Sequence, residues 1–347
     1  MVAAAVAAEA AAETVAVPLL MLAEEEEKKG IREFWDLSKG VTYSMSFPEL
    51  VGKCCLGVGF PGWLFTADEQ GHMNLFHLFS RSLINLPDMD MLEGFDYEDE
   101  KGNCALYVEK AVISLDPLIS KEDYVLALIQ GYPRTFAFWR PGSKCFTSVS
   151  ETVPECAYSD ITWDDGQFYG VDFWGNVIIF DFRSGNYPMS ARVVRSEIPP
   201  EIMRGNLVYI VYSMGELLVI NRDGAYEDDD TGIYGAKHFH VYNINDIDGT
   251  TPSYSEVKDL GNRALFVGNS ATVAAVEHLA HGNGIQGNHI YYTDNCTDTY
   301  FNLEQGGGKD MGVYNLLDGT IVPHYTGQSY HKLTPPLWIF SKQLSLS

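Results

Sequence analysis

Short apolar runs in which polar residues alternate with hydrophobic ones follow one another along most of the chain, separated by Gly, Asp, Asn and Pro. A period of two is typical of a β-strand buried on one face, and the residues between the runs are those that form turns. Long stretches with the 3.6-residue period of an amphipathic helix are not seen in this sequence. The pattern therefore predicts an all-β fold.

Two stretches of the sequence, Gly62–Ser80 and Gly166–Ser184, align without a gap. In each, an aspartate (Asp68 or Asp172) stands between two strand-like runs and is followed by a glycine in the pattern Asp-x-x-Gly. Glycine tolerates positive φ, and aspartate accepts hydrogen bonds from the amides that follow it, so the pattern predicts a β-hairpin. The offset between the stretches corresponds to about two units of roughly 50 residues, the span of a four-stranded propeller blade.

The strand-like runs fall into six groups, and one further run, Leu337–Phe340, stands alone near the C-terminus. The groups begin at Pro18, Leu56, Ala111, Tyr158, Leu207 and Ala264. We therefore predict a single β-propeller of about six four-stranded blades, with seven as the alternative count. The last run would close the ring by joining the blade at the other end, which removes an exposed sheet edge. A two-sheet sandwich is the alternative all-β fold, but it accounts poorly for so many hairpins of similar length.

The terminal segments differ from the rest of the chain. Residues 1–17 are alanine-rich and are predicted to be disordered, residues 18–342 form the propeller, and residues 343–347 are a short tail. The first segment lacks the basic flank of a signal peptide and the arginine and serine of a transit peptide, and no run approaches the roughly 20 apolar residues of a membrane span. The six cysteines do not have metal-binding spacing and are interpreted as reduced thiols. These features predict a cytoplasmic or nuclear protein.

The net charge of -24 narrows the choice of partners. An acidic surface disfavours nucleic acids and anionic membranes, so a protein partner with a basic surface is the better match, although acidity alone also keeps a protein soluble. One charged run, Glu24–Lys29, is interpreted as a solvated surface segment. A second acidic run lies on a long insertion and is predicted to be an interaction loop, since adjacent acids without D-x-D-x-D-G spacing rarely bind calcium. Its members are Glu227, Asp228, Asp229 and Asp230.

Motifs that could carry chemistry are few. Gly282–Gly287 matches G-x-G-x-x-G, but it leads into a strand-like run and not into the helix that a dinucleotide site requires. His238 and His240 would share one face of a strand, which we expect to be a solvent-facing edge strand without metal. Asp68 and Asp172 could in principle act as an acid and base pair, yet their spacing favours turn formation. We predict no catalytic, cofactor or metal residues.

One aromatic residue stands apart from the others. Trp174 occupies the turn between the two strands of its stretch, at the position where Gln70 stands in the aligned stretch. Most aromatic residues of a propeller fill the space between blades, but a tryptophan at a turn can protrude and anchor a partner. Trp174 is therefore predicted to be an interaction residue.

Several segments resemble the KIB-type β-propeller family of plants, a domain of unknown function that often follows an F-box. The most specific is Tyr254–Gly268 (YSEVKDLGNRALFVG), which is similar to the family signature W-x-E-V-x-D-L-G-D-R-A-L-F-L-G, with Tyr254 in place of its tryptophan. Further similar segments are Pro18–Leu22, Phe34–Leu37, Ser213–Val219 and Pro335–Trp338. The resemblance extends over most of the chain from Pro18 to Phe340.

The resemblance implies a protein-binding propeller without catalytic residues, and the best-known members of the family bind and restrain GSK3-like kinases. An F-box is longer than segment 1–17, so a member without this module is expected. Three hypotheses remain open. The chain is a non-catalytic interaction propeller that acts on a kinase of this type or in a ubiquitin-ligase-related pathway, a relative without an F-box that competes with complete members or is functionally idle, or an enzyme with carboxylates in the propeller channel.

Overall fold

The strands of the protein form six sheets that are arranged as the blades of a β-propeller, numbered here from the N-terminus. The computed structural model describes residues 16–149, 157–183, 190–195, 198–203, 206–224, 234–247, 252–276 and 284–342. The predicted fold class is confirmed, and the count is six blades.

Blades 2 to 5 each contain four antiparallel strands in chain order. Their first strands contact one another from blade to blade, which places them around the propeller axis. Blade 2 contains β4 (Lys53–Gly57), β5 (Trp63–Asp68), β6 (Met73–His77) and β7 (Leu83–Asn85), and blade 3 contains β8 (Val108–Ile113), β9 (Leu126–Gln130), β10 (Thr135–Trp139) and β11 (Thr147–Ser148). Blade 4 contains β12 (Tyr158–Asp164), β13 (Gln167–Asp172), β14 (Val177–Asp181) and β15 (Ser190–Val194). Blade 5 contains β16 (Leu207–Ser213), β17 (Glu216–Asp223), β18 (His238–Asn245) and β19 (Ser253–Glu256).

The two aligned stretches form the β5–β6 and β13–β14 hairpins, two blades apart as predicted. These strands are the middle pair of each blade and not its inner pair, because β4 and β12 lie nearer the axis. Both aspartates form the turns as predicted. The Asp172 carboxylate accepts hydrogen bonds from the amides of Trp174 and Asn176, each at 2.8 Å, and Asp68 accepts the equivalent bonds at 3.0 Å.

Both ends of the described chain meet in blade 1. Its strands, in order from the axis, are β25 (Leu337–Lys342), β1 (Ala16–Met21), β2 (Ile31–Asp36) and β3 (Val41–Ser46). Strand β25 pairs with β1 along its whole length, from Ala16 opposite Lys342 to Met21 opposite Leu337. The predicted closure by the C-terminal strand is confirmed, although β1 begins at Ala16, two residues before the predicted start at Pro18.

Blade 6 has five strands and an unusual connection. Their order is β21 (Val273–Val276), β20 (Arg263–Val267), β22 (His289–Tyr292), β23 (Gly312–Asn315) and β24 (Ile321–Val322). Strand β22 pairs in parallel with β20, and β21 turns back to the axis side of β20. The segment between β20 and β21, residues 268–272, therefore lies beside the propeller axis.

Six hydrophobic cores hold the ring together, one between each pair of neighbouring blades. The core between blades 6 and 1 contains Leu20, Phe266, Tyr291 and Trp338, and Trp338 is 1% exposed. Large aromatic side chains suit this position because they fill the wedge between radially arranged sheets. The strand β25 thus contributes both to the pairing and to the packing that close the ring.

The helices of the described residues are short and lie in the connections. They are α1 (Pro200–Met203), α2 (Thr297–Tyr300) and the 3-10 turns Glu26–Lys28, Pro48–Leu50, Met89–Met91 and Cys104–Leu106. Among the described residues, none of the helices has the length and apolar character needed to cross a bilayer.

The antiparallel order of the strands defines two faces. In blades 1 to 5, the turn between the second and third strands from the axis lies at the same end of the sheet as the connections to neighbouring blades. We call this end the upper face; it carries the β1–β2, β5–β6, β9–β10 and β13–β14 turns, the β24–β25 connection and α2. The lower face carries the β8–β9, β18–β19 and β23–β24 connections.

A buried histidine at the junction of blades 1 and 6 makes the stability depend on pH. The His324 ring lies 5.0 Å from the ring of Trp338 and its Nε2 donates to the carbonyl of Tyr292 at 3.0 Å. Burial lowers the pKa of His324 from 6.5 to about 4. Between pH 6.5 and about 4, His324 binds a proton in the unfolded chain but stays neutral in the folded protein. The stabilisation that comes from the neutral, buried ring is therefore complete above pH 6.5 and is lost as the pH falls towards 4.

We expect the free energy of unfolding to fall by roughly 2 to 3 kcal/mol between pH 7 and pH 4.5 from this group alone. Denaturant titrations at both pH values measure the change, and His324→Gln should flatten it by that amount. An identical pH dependence in the two proteins would show that the histidine does not contribute.

Candidate functional site

A cleft of about 950 Å³ opens on the upper face of the propeller. One wall is the β1–β2 turn, a second is the β24–β25 connection, and a third follows α2. The lining includes Leu22, Ala23, Glu24, Glu25, Glu26, Glu27, Glu33, Glu69, Gly102, Phe301, Glu304, Gln305, Tyr325, Gln328, Ser329, Tyr330, His331, Lys332 and Leu333. Residues near both ends of the chain meet here because β25 pairs with β1.

Hydrogen bonds between the walls fix the shape of the cleft. The Ser329 hydroxyl accepts a bond from the amide of Ala23 at 2.9 Å, and the Thr334 hydroxyl accepts one from the amide of Glu24 at 3.1 Å. His331 pairs through its backbone with Gly307, which joins the β24–β25 connection to the segment after α2. A binding surface held in this way loses little conformational freedom when a partner binds.

The lining is strongly acidic, with seven glutamates and one lysine. Glu24 is buried against Arg32, 3.7 Å away, and Lys28 bridges Glu25 and Glu33 at 3.0 and 3.5 Å. The remaining carboxylates form no ion pair with any residue that the structure describes: Glu26, Glu27, Glu69 and Glu304. The run Glu24–Lys29, interpreted from the sequence as a solvated segment, thus forms a wall of the cleft, and Glu24 is 7% exposed.

The histidine of the cleft adds no positive charge at neutral pH. Burial lowers the pKa of His331. Its Nδ1 accepts hydrogen bonds from the amides of Leu333 and Thr334, each at 3.1 Å, which requires the neutral ring. The cleft therefore keeps its negative charge around pH 7.

Aromatic side chains supply apolar surface between the carboxylates. The Lys332 ammonium lies 5.6 Å from the centre of the Phe301 ring, and Tyr325 packs edge-on against Trp35 with 5.4 Å between ring centres. Tyr330 lines the same space. Carboxylates next to aromatic rings bind lysine and arginine side chains, whose charged ends form ion pairs while their stems and planes contact the rings.

The propeller axis is occupied by protein. The Lys110 ammonium donates to the carbonyls of Gly268 and Ser270 at 2.6 and 3.0 Å, and its nitrogen lies 3.2 Å from Asp160. Asp160 in turn accepts bonds from the amide of Ile210 and the hydroxyl of Thr272.

Segment 268–272 also bonds to the two blades on its other side. The Ser270 hydroxyl donates to the carbonyl of Trp338 in blade 1 at 2.7 Å, and the Ala271 amide donates to the carbonyl of Gly57 in blade 2 at 2.7 Å. Asp160, a carboxylate beside the axis, is 0% exposed and cannot meet a substrate in this structure.

The predicted interaction residues have different outcomes. Trp174 is 47% exposed and lies on the upper face, in the turn that Asp172 stabilises. Glu227, Asp228, Asp229 and Asp230 lie outside the described residues. No sequence pattern singles out Tyr132, which is 97% exposed in the β9–β10 turn of the neighbouring blade.

The other predicted motifs are structural or lie outside the described residues. His238 and His240 have ring centres 4.5 Å apart on β18, which lies between β17 and β19, so the predicted edge position is wrong. His238 bonds to the Tyr314 hydroxyl at 2.8 Å. Gly284–Gly287 precede β22 as expected, whereas Gly282 and Asn283 are outside the described residues. In the described part of the chain, no group of three or more His, Cys, Asp or Glu side chains could hold a metal ion.

The six-bladed ring closed by its C-terminal strand places this chain in the class of β-propeller proteins. The chain belongs to the KIB1-4 β-propeller family, whose model matches residues 34–315. The F-box protein SKIP23 of Arabidopsis thaliana is 25% identical, with 68% of this chain and 58% of that protein covered. The F-box/kelch-repeat protein KIB1 of the same plant is 21% identical, with 72% and 59% covered, and the F-box protein KIB3 is 22% identical, with 90% and 70% covered.

The chain spans about three fifths of the length of the first of these relatives. Among solved structures, a chain of a nidogen/laminin complex has a TM-score of 0.46 at 12% identity and covers 93% of this chain and 98% of its own. The β-propeller domain of Cps50 (Swd1) from Myceliophteria thermophila has a TM-score of 0.39 at 9% identity and covers 87% and 81%.

Proposed function

We propose that this protein is a non-catalytic interaction propeller that binds a basic segment of a partner protein in the acidic cleft. The observation that carries the proposal is the group of carboxylates that have no ion-pair partner among the described residues, around a cleft whose walls are fixed by hydrogen bonds. An extended segment rich in lysine and arginine would neutralise these carboxylates. The occupied axis supports a binding role over the enzyme hypothesis, because Asp160 is already engaged with Lys110.

Neutralising the cleft should weaken this binding. The triple variant Glu26→Gln, Glu27→Gln and Glu304→Gln is expected to bind a synthetic lysine-containing peptide at least about tenfold more weakly at low salt, since removing charges near a binding site weakens ion pairing by this order. Fluorescence anisotropy of the labelled peptide measures the affinity. The loss should shrink as salt is added, because salt screens the remaining attraction.

A matched control separates the cleft from the overall charge. The variant Glu122→Gln, Asp123→Asn and Asp246→Asn removes three exposed carboxylates from the lower face. It changes the net charge by the same amount and should bind the peptide almost as the natural protein does. Equal losses in the two variants would show that binding depends only on net charge and would overturn the cleft as the site.

We further propose that the partner is a regulatory protein such as a GSK3-like kinase, or a component of a ubiquitin-ligase-related pathway, in the cytoplasm or nucleus. The family membership and the F-box relatives support this choice. The free cysteines of the described residues, four of them buried, support a reducing compartment. Affinity purification with mass spectrometry should recover such a partner with the natural protein and lose it with the cleft variant, whereas recovery by both would assign the partner to another surface.

Competition with F-box relatives for a shared partner is the second candidate function. Membership of the same propeller family supports it, since two members of one family can bind the same partner. Adding an excess of this chain to a complete F-box relative should then displace the relative's partner, and recovery of a ubiquitin-ligase adaptor by this chain itself would contradict the competitor role.

A further inference from the structure

Two exposed aromatic side chains lie on turns of neighbouring blades on the upper face. Tyr132 is 97% exposed in the β9–β10 turn, and Trp174 is 47% exposed in the β13–β14 turn. Of the six tryptophans, all of which lie in the described part of the chain, Trp174 alone is exposed. Tyrosine and tryptophan are enriched at the surfaces where proteins bind partners, compared with the rest of the protein surface.

The two turns are joined by one arginine. The Arg134 guanidinium lies 5.3 Å from the centre of the Phe173 ring, and Phe173 precedes Trp174 in its turn. Arg134 also forms ion pairs with Glu109 at 3.2 Å and Asp298 at 3.3 Å, although its own side chain is only 13% exposed. These contacts hold the aromatic turns in fixed positions before any partner arrives.

The same contacts connect the aromatic turns to the cleft. Asp298 belongs to α2, and the residues that follow this helix, Phe301 and Glu304, line the cleft. Helix α2 thus contacts the β9–β10 turn through Asp298, and the residues that follow the helix form a wall of the acidic cleft. The aromatic turns and the cleft are therefore neighbouring parts of one face.

We propose that Tyr132 and Trp174 form an arginine-binding extension of the acidic cleft, which receives a second basic stretch of the same partner segment. This inference rests on the proposed function and adds a preference for arginine over lysine. Arginine suits the surface because its planar, weakly hydrated guanidinium stacks on aromatic rings and pairs with a carboxylate, here the 61% exposed Asp298. The protein uses the same contact internally, where Arg134 covers Phe173 and Arg222 covers Tyr292 at 4.7 Å.

The test uses two synthetic peptides of equal length and charge, one alternating glycine with arginine and the other glycine with lysine. The natural protein should bind the arginine peptide about 3- to 10-fold more tightly, the ratio expected from one or two cation–π contacts. Tyr132→Ala and Trp174→Ala should each reduce this preference while binding of the lysine peptide stays nearly unchanged. Trp174 fluorescence should change when the arginine peptide binds and not with the lysine peptide.

Controls test whether the variants alter folding and whether a ligand other than a basic peptide occupies the surface. Leu317→Ala removes another exposed apolar side chain, 78% exposed, from the lower face and should leave the preference intact. Because both aromatic side chains are exposed and Trp174 bonds to Asp172 through its backbone amide, the melting temperatures of Tyr132→Ala and Trp174→Ala should match that of the natural protein. Binding to phosphatidylserine vesicles that Trp174→Ala abolishes would assign the surface to lipid and overturn the inference.

The outcomes distinguish this inference from the proposed function. If both peptides bind equally and the aromatic variants change nothing, while the Glu26, Glu27 and Glu304 variant weakens both, the arginine-binding extension is wrong and the cleft stands. If the aromatic variants weaken arginine binding but the cleft variant does not, the aromatic surface is supported and the cleft is wrong. If neither peptide binds the natural protein, both are overturned.

Discussion

A chain that ends at Pro336 is expected not to fold. This truncation removes β25, whose side chains Leu337, Trp338, Ile339 and Phe340 are each at most 7% exposed. At about 1.5–3 kcal/mol for each buried side chain, the loss is on the order of 6–12 kcal/mol, which is comparable to the whole net stability of about 5–15 kcal/mol of a typical domain. The truncation also opens the edge of β1 and deprives Ser270 and Gly62 of their carbonyl acceptors at Trp338 and Phe340.

Circular dichroism and size-exclusion chromatography of the purified truncated chain measure this effect. We expect weak β-sheet signal, no cooperative melting and self-association through the open edge. A chain that ends at Lys342 retains the whole strand and is the matched control. A truncated protein that melts cooperatively within a few degrees of this control would show that β25 does not close the ring.

Breaking the buried Lys110–Asp160 pair is expected to have the next largest effect. Lys110→Met leaves the fully buried Asp160 carboxylate without its cation and leaves two carbonyls of segment 268–272 without their donor. Loss of one partner from a buried ion pair costs about 3–5 kcal/mol. Asp160→Asn should also destabilise, because it removes the carboxylate that is paired with the buried Lys110 ammonium.

A double-mutant cycle measures how far the two residues depend on each other. Lys110→Met combined with Asp160→Asn should cost less than the sum of the single variants by about 1.5 to 3 kcal/mol, since neither buried charge remains. Arg183→Met is the control, because its pair with Asp181 lies at the surface and should contribute little to stability. Strict additivity of the two axis variants would mean that the pair does not act as a unit.

The local part of the fold could be predicted from the sequence. Asp68 and Asp172 bond to amides within their own turns, so a few neighbouring residues suffice to specify a hairpin and its length. Repeated hairpins of one length gave the blade count, and a single unpaired run at Leu337 indicated closure. Each of these features depends on residues that are close along the chain, and turn chemistry and strand alternation describe such residues well.

The rest depends on contacts between distant residues. The run Glu24–Lys29 becomes a wall of the cleft only because ring closure brings Ser329 and His331 beside it, about 300 positions further along. The parallel pairing of β20 with β22 has no turn signal, since the two strands are not joined by a hairpin. The exposure of Tyr132 could not be predicted, because a single aromatic residue in a turn belongs to no periodic sequence pattern.

The pairing of Ala16 with Lys342 has a consequence for anything fused to this protein. Strand β1 runs from the lower face to the rim of the cleft, and β25 runs back, so both ends of the described chain leave the disc on the side away from the cleft. A partner held in the proposed cleft would then be separated from a module fused at either end by the thickness of the propeller. Such a module would have to reach around the rim of the propeller, or act on the parts of the partner that project beyond it.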